Sequence, residues 1–406
     1  MEVGMFVKNG ALVVLLVLAS ASYGQTSEKQ DWPQFRGPDR NGISMETKWN
    51  PKALQGGAKV LWKANVGEGW SSVAISGDKL FTMGWKGGQD TVCALNIKDG
   101  TTVWKYSYPS EKCDYTGPRA TPATDGKVIY SLGAGGQISC LAAMDGKVLW
   151  KKNLVSEFGV STPRWNLAGS PVIAGDLLLI NAGECGLALN RKTGAKVWAS
   201  GAGPGGYSTP VVFKQNGKEC VAIFGAKAVY GLELATGRKL WSRKWETEYD
   251  VNAADPICSG SKVFISSGYD RGCALLDING GQPKEVWTNK GMRNHFSSCV
   301  LVDGYLYGID GNAGNGTLKC IEFATGNQKW SQNLGFGGLI SAGDKLIVLN
   351  ESGDLFIGKF SPAGFEELSS ARKILGKLCW TAPVLCRGVI YCRNNKGDIA
   401  AIDVSK

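Results

Sequence analysis

The stretch LNRKTGAKVW, Leu189–Trp198, decides the architecture: an apolar run, a charged turn ending in Thr-Gly, and a tryptophan four residues later. The same sentence recurs along the chain. Its tryptophans are Trp62, Trp104, Trp150, Trp198, Trp241, Trp287 and Trp330, at intervals of 42, 46, 48, 43, 46 and 43 residues. Self-similarity at that period belongs to propeller blades or helical-pair arrays. The runs between the tryptophans are short, rich in Val, Ile, Leu and aromatics, and punctuated by Gly, Asp and Asn, which is strand and turn chemistry. In the third unit SPVIAG, DLLLINAG, GLALNRKTG and AKVWAS read as four successive strands. Helical periodicity is expected only in the N-terminal segment and in FEELSSARKIL, Phe365–Leu375.

The first strands are announced by Ser72-Val73, Thr121-Pro122, Ser170-Pro171, Thr209-Pro210, Asp255-Pro256, Ser298-Cys299, Leu339-Ile340 and Ala382-Pro383, which makes eight units. The seventh has no tryptophan, and Ile374-Leu375 is read in its place. The eighth stops after three strands, so AKVLW, Ala58–Trp62, is expected to supply its fourth. The fold class is therefore all-β: an eight-bladed β-propeller of four-stranded antiparallel blades, closed by an N-terminal strand, which removes the free sheet edge. The Gly of each Asp/Thr-Gly pair supplies the positive φ of a tight turn. The tryptophan on the outermost strand covers the seam to the next blade, a structural use.

The chain carries 45 Lys and Arg against 35 Asp and Glu, a net charge of +10, spread without a basic run. That describes a mildly basic surface and not a nucleic-acid interface. Residues 1–24 have the layout of an export signal, with Lys8, the apolar run ALVVLLVLASA and a small-residue cleavage site after Ala21 or Gly24. That run is short of the ~20 residues of a bilayer span. Residues 25–57 then form a leader, and 58–406 the propeller of an exported, periplasmic or secreted protein with no transmembrane anchor after cleavage, expected as a monomer. Of twelve cysteines, Cys93, Cys140, Cys273 and Cys320 hold one equivalent place in successive units, too far apart for disulfides, and read as small buried hydrophobes. Cys379, Cys386 and Cys392 leave room for one bridge. A single histidine and no Cys-x-x-Cys leave little room for a zinc site. Gly201–Gly206, GAGPGG, fits G-x-G-x-x-G, but a strand follows where a dinucleotide fold needs a helix.

The units A-x-(D/N)-x-x-T-G-x-x-x-W resemble the tryptophan-docking motif of quinoprotein-type eight-bladed propellers, the PQQ-like repeat family, which includes pyrroloquinoline quinone (PQQ) dehydrogenases and BamB, a propeller of the outer-membrane barrel assembly machinery. DWPQFRGPDRNGIS, Asp31–Ser44, is similar to the leader of planctomycete and verrucomicrobial PQQ-like proteins. The resemblance implies either a non-catalytic, BamB-like scaffold for envelope proteins or peptides, or a PQQ- and calcium-dependent oxidoreductase; a carbohydrate or small-ligand propeller is the third reading. The chain has neither the chamber-building insertions and vicinal cysteine pair of the dehydrogenases nor a cysteine near the cleavage site for a lipid anchor.

Loops entering the first strands and loops joining the second to the third should open on one face of such a ring. The entering loops carry Glu68, Trp70, Arg119, Arg164, Trp165, Asn166, Tyr207, Asp250, Asn252, Asp255, Asn294, His295 and Trp380 toward a central mouth, and the joining loops add Glu184, Asp270, Arg271 and Asp310. Aromatics, arginines and acid–amide pairs converging on a concavity are the makings of a binding site. A calcium–quinone site would draw oxygens from Asp250 or Asp255, Asn166 or Asn252, and Glu68 or Glu184, with Trp70, Trp165 or Trp380 to stack. The competing reading is that Asp, Asn, Gly and Pro make the turns and nothing more. His295 has no visible orienting partner for a role as general base.

Overall fold

A computed structural model of the chain describes residues 31–201 and 203–406; the export segment expected at 1–24 lies outside the described residues. Eight sheets follow one another around a ring. Blade 3 is typical: Val172–Ala174, Leu177–Ile180, Leu187–Asn190 and Lys196–Ala199 pair antiparallel in chain order. In blade 8 the strands Val384–Cys386, Val389–Arg393 and Asp398–Asp403 are completed by Val60–Asn65, with Trp62 opposite Ala401 and Lys63 opposite Ala400. The ends of the chain thus share a sheet, as the unit count requires.

The core lies between blades. Leu179 and Val172 of blade 3 pack with Val221 and Ile223 of blade 4 under Trp198. Most of the repeat tryptophans close a seam in three ways. Such a residue buries a large ring, worth about 2–3 kcal/mol. Its indole N–H donates across the seam: Trp62 to Ile97 O, Trp104 to Ala143 O, Trp150 to Arg191 O, Trp198 to Leu234 O, Trp287 to Phe323 O and Trp330 to Ser361 O, at 2.8–3.1 Å. And its face lies on the turn glycine of the next blade: a Cβ at Gly194 would stand 2.8 Å from Trp150, and one at Gly237 would stand 2.5 Å from Trp198. The glycine therefore has two duties, positive φ (71° at Gly194) and the absence of a Cβ.

Three seams depart from the rule; at one, Trp330 keeps its bond to Ser361 O, but the turn glycine of blade 7, Gly364, stands clear of the ring. Blade 5 carries the longer turn Asp277–Lys284, whose Gly280 and Gly281 touch nothing. Trp241 turns instead onto Gly231 of its own sheet and donates to Gln215 Oε1, which in turn holds Ile278 O through its amide. In blade 7 the expected helix over Phe365–Leu375 is absent: Gly364–Ala371 is the outermost strand, because the blade needs a fourth strand and that demand overrides local helix preference. The bulge that precedes each tryptophan's register shift places Ser369, not Ile374-Leu375, at the tryptophan's position. Its hydroxyl donates to Pro51 O at 2.7 Å, and the buried Leu54 of the leader fills the seam.

The leader crosses the face opposite the mouth. Trp32 bridges Ile75 of blade 1, Pro33 O accepts from Thr124 N of blade 2, Ile43–Ser44 runs parallel to Gly337–Ala342 of blade 7, and Trp49 bridges Ser405 beyond blade 8. Among the described residues, helical structure is limited to short pieces such as Leu154–Phe158, where Asn153 caps the N–H groups of Val155 and Ser156. Cys93, Cys140, Cys273 and Cys320 are buried as expected, and burial raises their thiols to about 11 or 12. No described cysteine is disulfide-bonded, so the bridge allowed for among Cys379, Cys386 and Cys392 is not made.

Candidate functional site

The first strands begin with a chain of hydrogen bonds around the axis. Ser72 N donates to Thr121 Oγ1, Thr121 N to Ser170 Oγ, Ser170 N to Thr209 Oγ1, Thr209 N to Asp255 Oδ1, and Asp255 N to Ser298 Oγ, at 2.7–3.2 Å. The short hydroxyl or carboxylate of one blade satisfies the backbone of the previous one, which is why Ser, Thr or Asp opens six units. Blades 7 and 8 open with Leu339 and Ala382, and the chain of bonds ends there.

Inside this ring lies a cavity of about 250 Å³. Trp32, Phe35 and Arg36 of the leader form its floor. Arg36 is buried, donates to Cys299 O at 2.7 Å, and stands 3.8 Å from Asp255 Oδ2. Burial, partly offset by Arg36, raises the Asp255 carboxyl to about 6. The leader thus makes the axial channel blind, open only at the mouth.

A closed circuit of nine side chains surrounds the mouth. Trp70 stacks on Trp380 at 4.5 Å, Trp380 meets Phe296 at 5.0 Å, Phe296 stacks on His295 at 3.6 Å, and His295 meets Tyr269 edge-on at 4.8 Å. Tyr269 then meets Tyr249 at 5.4 Å; Arg164 lies over both Tyr249 and Trp165, at 5.2 and 5.0 Å; Trp165 meets Tyr115 at 5.6 Å, and Tyr115 returns to Trp70 at 6.2 Å. Edge-to-face and cation–π contacts of this kind hold rings in place while leaving their outer faces wet. Tyr115, Tyr249 and Tyr269 sit at φ of 51°, 60° and 52°. Bulky residues occupy the left-handed region only under constraint, and such strain gathers where side chains are aimed for a purpose.

The expected site residues divide into groups. Trp70, Arg119, Trp165, Tyr207, Asp255, His295 and Trp380 line the cavity, with Arg164 on its rim. Arg119 spends its Nη groups on the carbonyls of Asp114, Tyr115 and Gly117, and Tyr207 OH accepts from Trp165 N. Asn252 and Asn294 are fully buried and structural: Asn252 Nδ2 donates to Gly225, Ala226 and Trp245 carbonyls, Asn294 Nδ2 to Ile309 O. Asn166 makes a left-handed turn, at φ 63°. Glu68 pairs with Lys396 and Asp250 with Lys227 on the rim. From the joining loops, Asp270 and Asp310 pair with Arg293, Arg271 lies over Trp245, and Glu184 accepts from Tyr230 OH. Sequence reasoning passed over Tyr115, Tyr249, Tyr269 and Phe296, and the floor residues Trp32, Phe35 and Arg36.

Most oxygens considered for a calcium–quinone site are engaged elsewhere: Glu68 and Asp250 with lysines, Glu184 with Tyr230 OH, Asn252 Oδ1 with Ser267 Oγ, and Asp255 with Arg36 and Thr209 N, while Asn166 sits in its left-handed turn. Among the described residues no three His, Cys, Asp or Glu side chains converge as a metal-binding group. The residues present do not fit that ion, and no step is derived through it.

Known proteins agree with this architecture. The family described as the outer membrane protein assembly factor BamB matches residues 110–332, more than half of the chain. The chain belongs to that family. Within the BamB family, the protein of Shewanella oneidensis is 23% identical over 371 residues, covering 74% of this chain and 88% of its own. A polyvinylalcohol dehydrogenase of a Pseudomonas species is 28% identical over 118 residues, 25% of this chain and 18% of its own. Among solved structures, BamB from Moraxella catarrhalis superposes with a TM-score of 0.65 at 15% identity, over 85% of this chain and 99% of that one. The quinohemoprotein alcohol dehydrogenase of Comamonas testosteroni gives 0.68 at 13%, over 92% and 80%. Identities that low speak for the fold alone: this BamB-family chain is a PQQ-like eight-bladed propeller.

Proposed function

We propose that the chain is an exported, non-catalytic propeller that holds extended segments of partner proteins in the cell envelope at its collared mouth. The nine-membered collar carries this reading. Tyr and Trp offer large contact area at low entropic cost and dominate binding hot spots. The mouth carboxylates Glu68, Asp250 and Asp255 are paired with Lys396, Lys227 and Arg36, which favours contact over proton transfer as the mouth's chemistry. Membership of the BamB family supports protein partners, and residues 1–24 as an export signal with a 25–57 leader supports the envelope.

The test uses the full chain with a benzophenone cross-linker in place of Tyr115 and defined extended peptides from envelope proteins. Saturable cross-linking that falls at least tenfold in a Trp70→Ala/Trp380→Ala variant of unchanged melting temperature supports the reading. No saturable peptide capture, together with thermal stabilisation by PQQ and calcium, overturns it in favour of the oxidoreductase.

A further inference from the structure

Beneath the collar the cavity has two unlike walls. Blades 1, 3, 4 and 6 present an arc of hydroxyls from Ser72, Ser170, Thr209 and Ser298, with the carboxyl of Asp255 from blade 5 between the last two. Those of Ser170, Thr209 and Ser298 already accept a backbone N–H, and each keeps its own hydrogen to donate. Blades 7 and 8, where that arc is interrupted, present Leu339, Ile340 and Pro383 instead. Two residues of the lining, His295 and Ser297, each hold a buried polar atom without a partner among the described residues, Nε2 and Oγ. The state of the imidazole follows from its other nitrogen. Ala313 N donates to Nδ1 at 3.2 Å, so Nδ1 carries no hydrogen and the neutral ring presents an N–H at Nε2. A buried donor left unpaired is unfavourable, and buried polar atoms in native proteins are as a rule satisfied. These two point to an occupant.

The pocket's chemistry narrows what the occupant is. A cavity of about 250 Å³ lies just below the usual range of drug-sized ligand sites, and a blind floor admits one end of a ligand, not a threaded chain. Asp255 and Arg36 offset one another on the floor, which favours a neutral guest and still offers a carboxylate oxygen to accept from a hydroxyl. Several separate donors, one acceptor, an apolar wall and aromatic sides call for a small ring with a C–H face and a polar rim. We propose that this blind pocket binds one neutral pyranose unit, free or at the end of a glycan. His295 Nε2 and Ser297 Oγ would bond its hydroxyl or ring oxygens, and the Leu339–Pro383 wall would pack against its apolar face.

The proposal goes beyond capture of protein segments at the rim, and the two fail separately. Tryptophan fluorescence of the full chain is titrated with methyl glycosides of glucose, galactose, mannose and N-acetylglucosamine. Saturable quenching by at least one of them, weakened tenfold or more in both His295→Phe and Ser297→Ala, supports the pocket; melting temperatures within a few degrees of wild type show that the variants fold. Three results overturn it: no glycoside quenches saturably; quenching is unchanged in both variants; or N-acetyltyrosinamide or PQQ binds in the pocket while no glycoside competes. Peptide cross-linking at Tyr115 is read in parallel, and its loss or survival bears on the collar alone.

Discussion

His295 shows how a single residue carries information that composition hides. It is the one histidine of the chain, is buried against Phe296 and Tyr269, and burial lowers its pKa to about 4. In the unfolded chain the ring titrates near 6.5. Between those values the unfolded state binds a proton that the folded state refuses, so this group's contribution falls as pH falls from 6.5 to 4. The loss by pH 4 is on the order of 3 kcal/mol. Buried Asp90 and Asp255, each raised to about 6, act in the opposite direction over pH 4–6 and mask it in the wild type. Subtracting the two denaturation curves removes them: wild type minus His295→Phe should lose stability steadily as the buffer goes from pH 7 to pH 4.5. A flat difference would mean that the ring is already protonated or solvated at neutral pH. The histidine's presence in an entering loop was legible in the sequence; its unpartnered nitrogen was not, because that depends on Ala313, eighteen residues away in the next hairpin.

At the scale of the element, the turn glycine and the tryptophan form one joint. Gly194→Ala would add a Cβ 2.8 Å from Trp150 at a φ of 71°. Gly217 has a similar φ of 77° but open space around it. Gly217→Ala should therefore cost only the conformational strain, about 1 kcal/mol, and Gly194→Ala about 3 kcal/mol, since the indole must also shift. Urea denaturation of the two variants measures the difference, and equal losses would reduce the joint to a turn. Blades were legible because strand, turn glycine and tryptophan are contiguous, and each unit repeats the signal. What failed was not contiguous. The helical reading of Phe365–Leu375 gave way to the sheet's need for a fourth strand, and the seam-filling role fell to Ser369 and Leu54 from opposite ends of the sequence. The collar was half legible for the same reason. Trp and Arg in entering loops announce themselves, whereas Tyr115, Tyr249 and Tyr269 reach the mouth through left-handed backbone that has no sequence signature. Asn252 and Asn294 show the converse ambiguity, because in sequence an amide that holds carbonyls looks like an amide that holds a ligand.

For the whole molecule, everything depends on closure. Each of blades 1–7 draws its four main strands from one continuous stretch, so a hairpin turn tethers the outermost strand. Blade 8 has no such tether: Trp62 and Ala401 meet across almost the entire chain. Ordering that contact is entropically the most demanding step in the ring, although the penalty grows only logarithmically with loop length. Without Val60–Asn65, the strand Asp398–Asp403, with Ile399, Ala400, Ala401 and Ile402 all buried in the intact protein, becomes an open apolar edge of the kind that recruits other chains. Replacing Val60–Asn65 by a Gly-Ser segment of equal length keeps the leader attached and removes only the strand. That variant should elute as concentration-dependent multimers with a lowered melting temperature. A peptide with the sequence AKVLWKAN, residues 58–65, should return it toward the monomer by strand addition. A monodisperse variant with an unchanged melting transition would show that the ring is held by its blade seams alone, and that the N-terminal strand is an accessory to closure and not its cause.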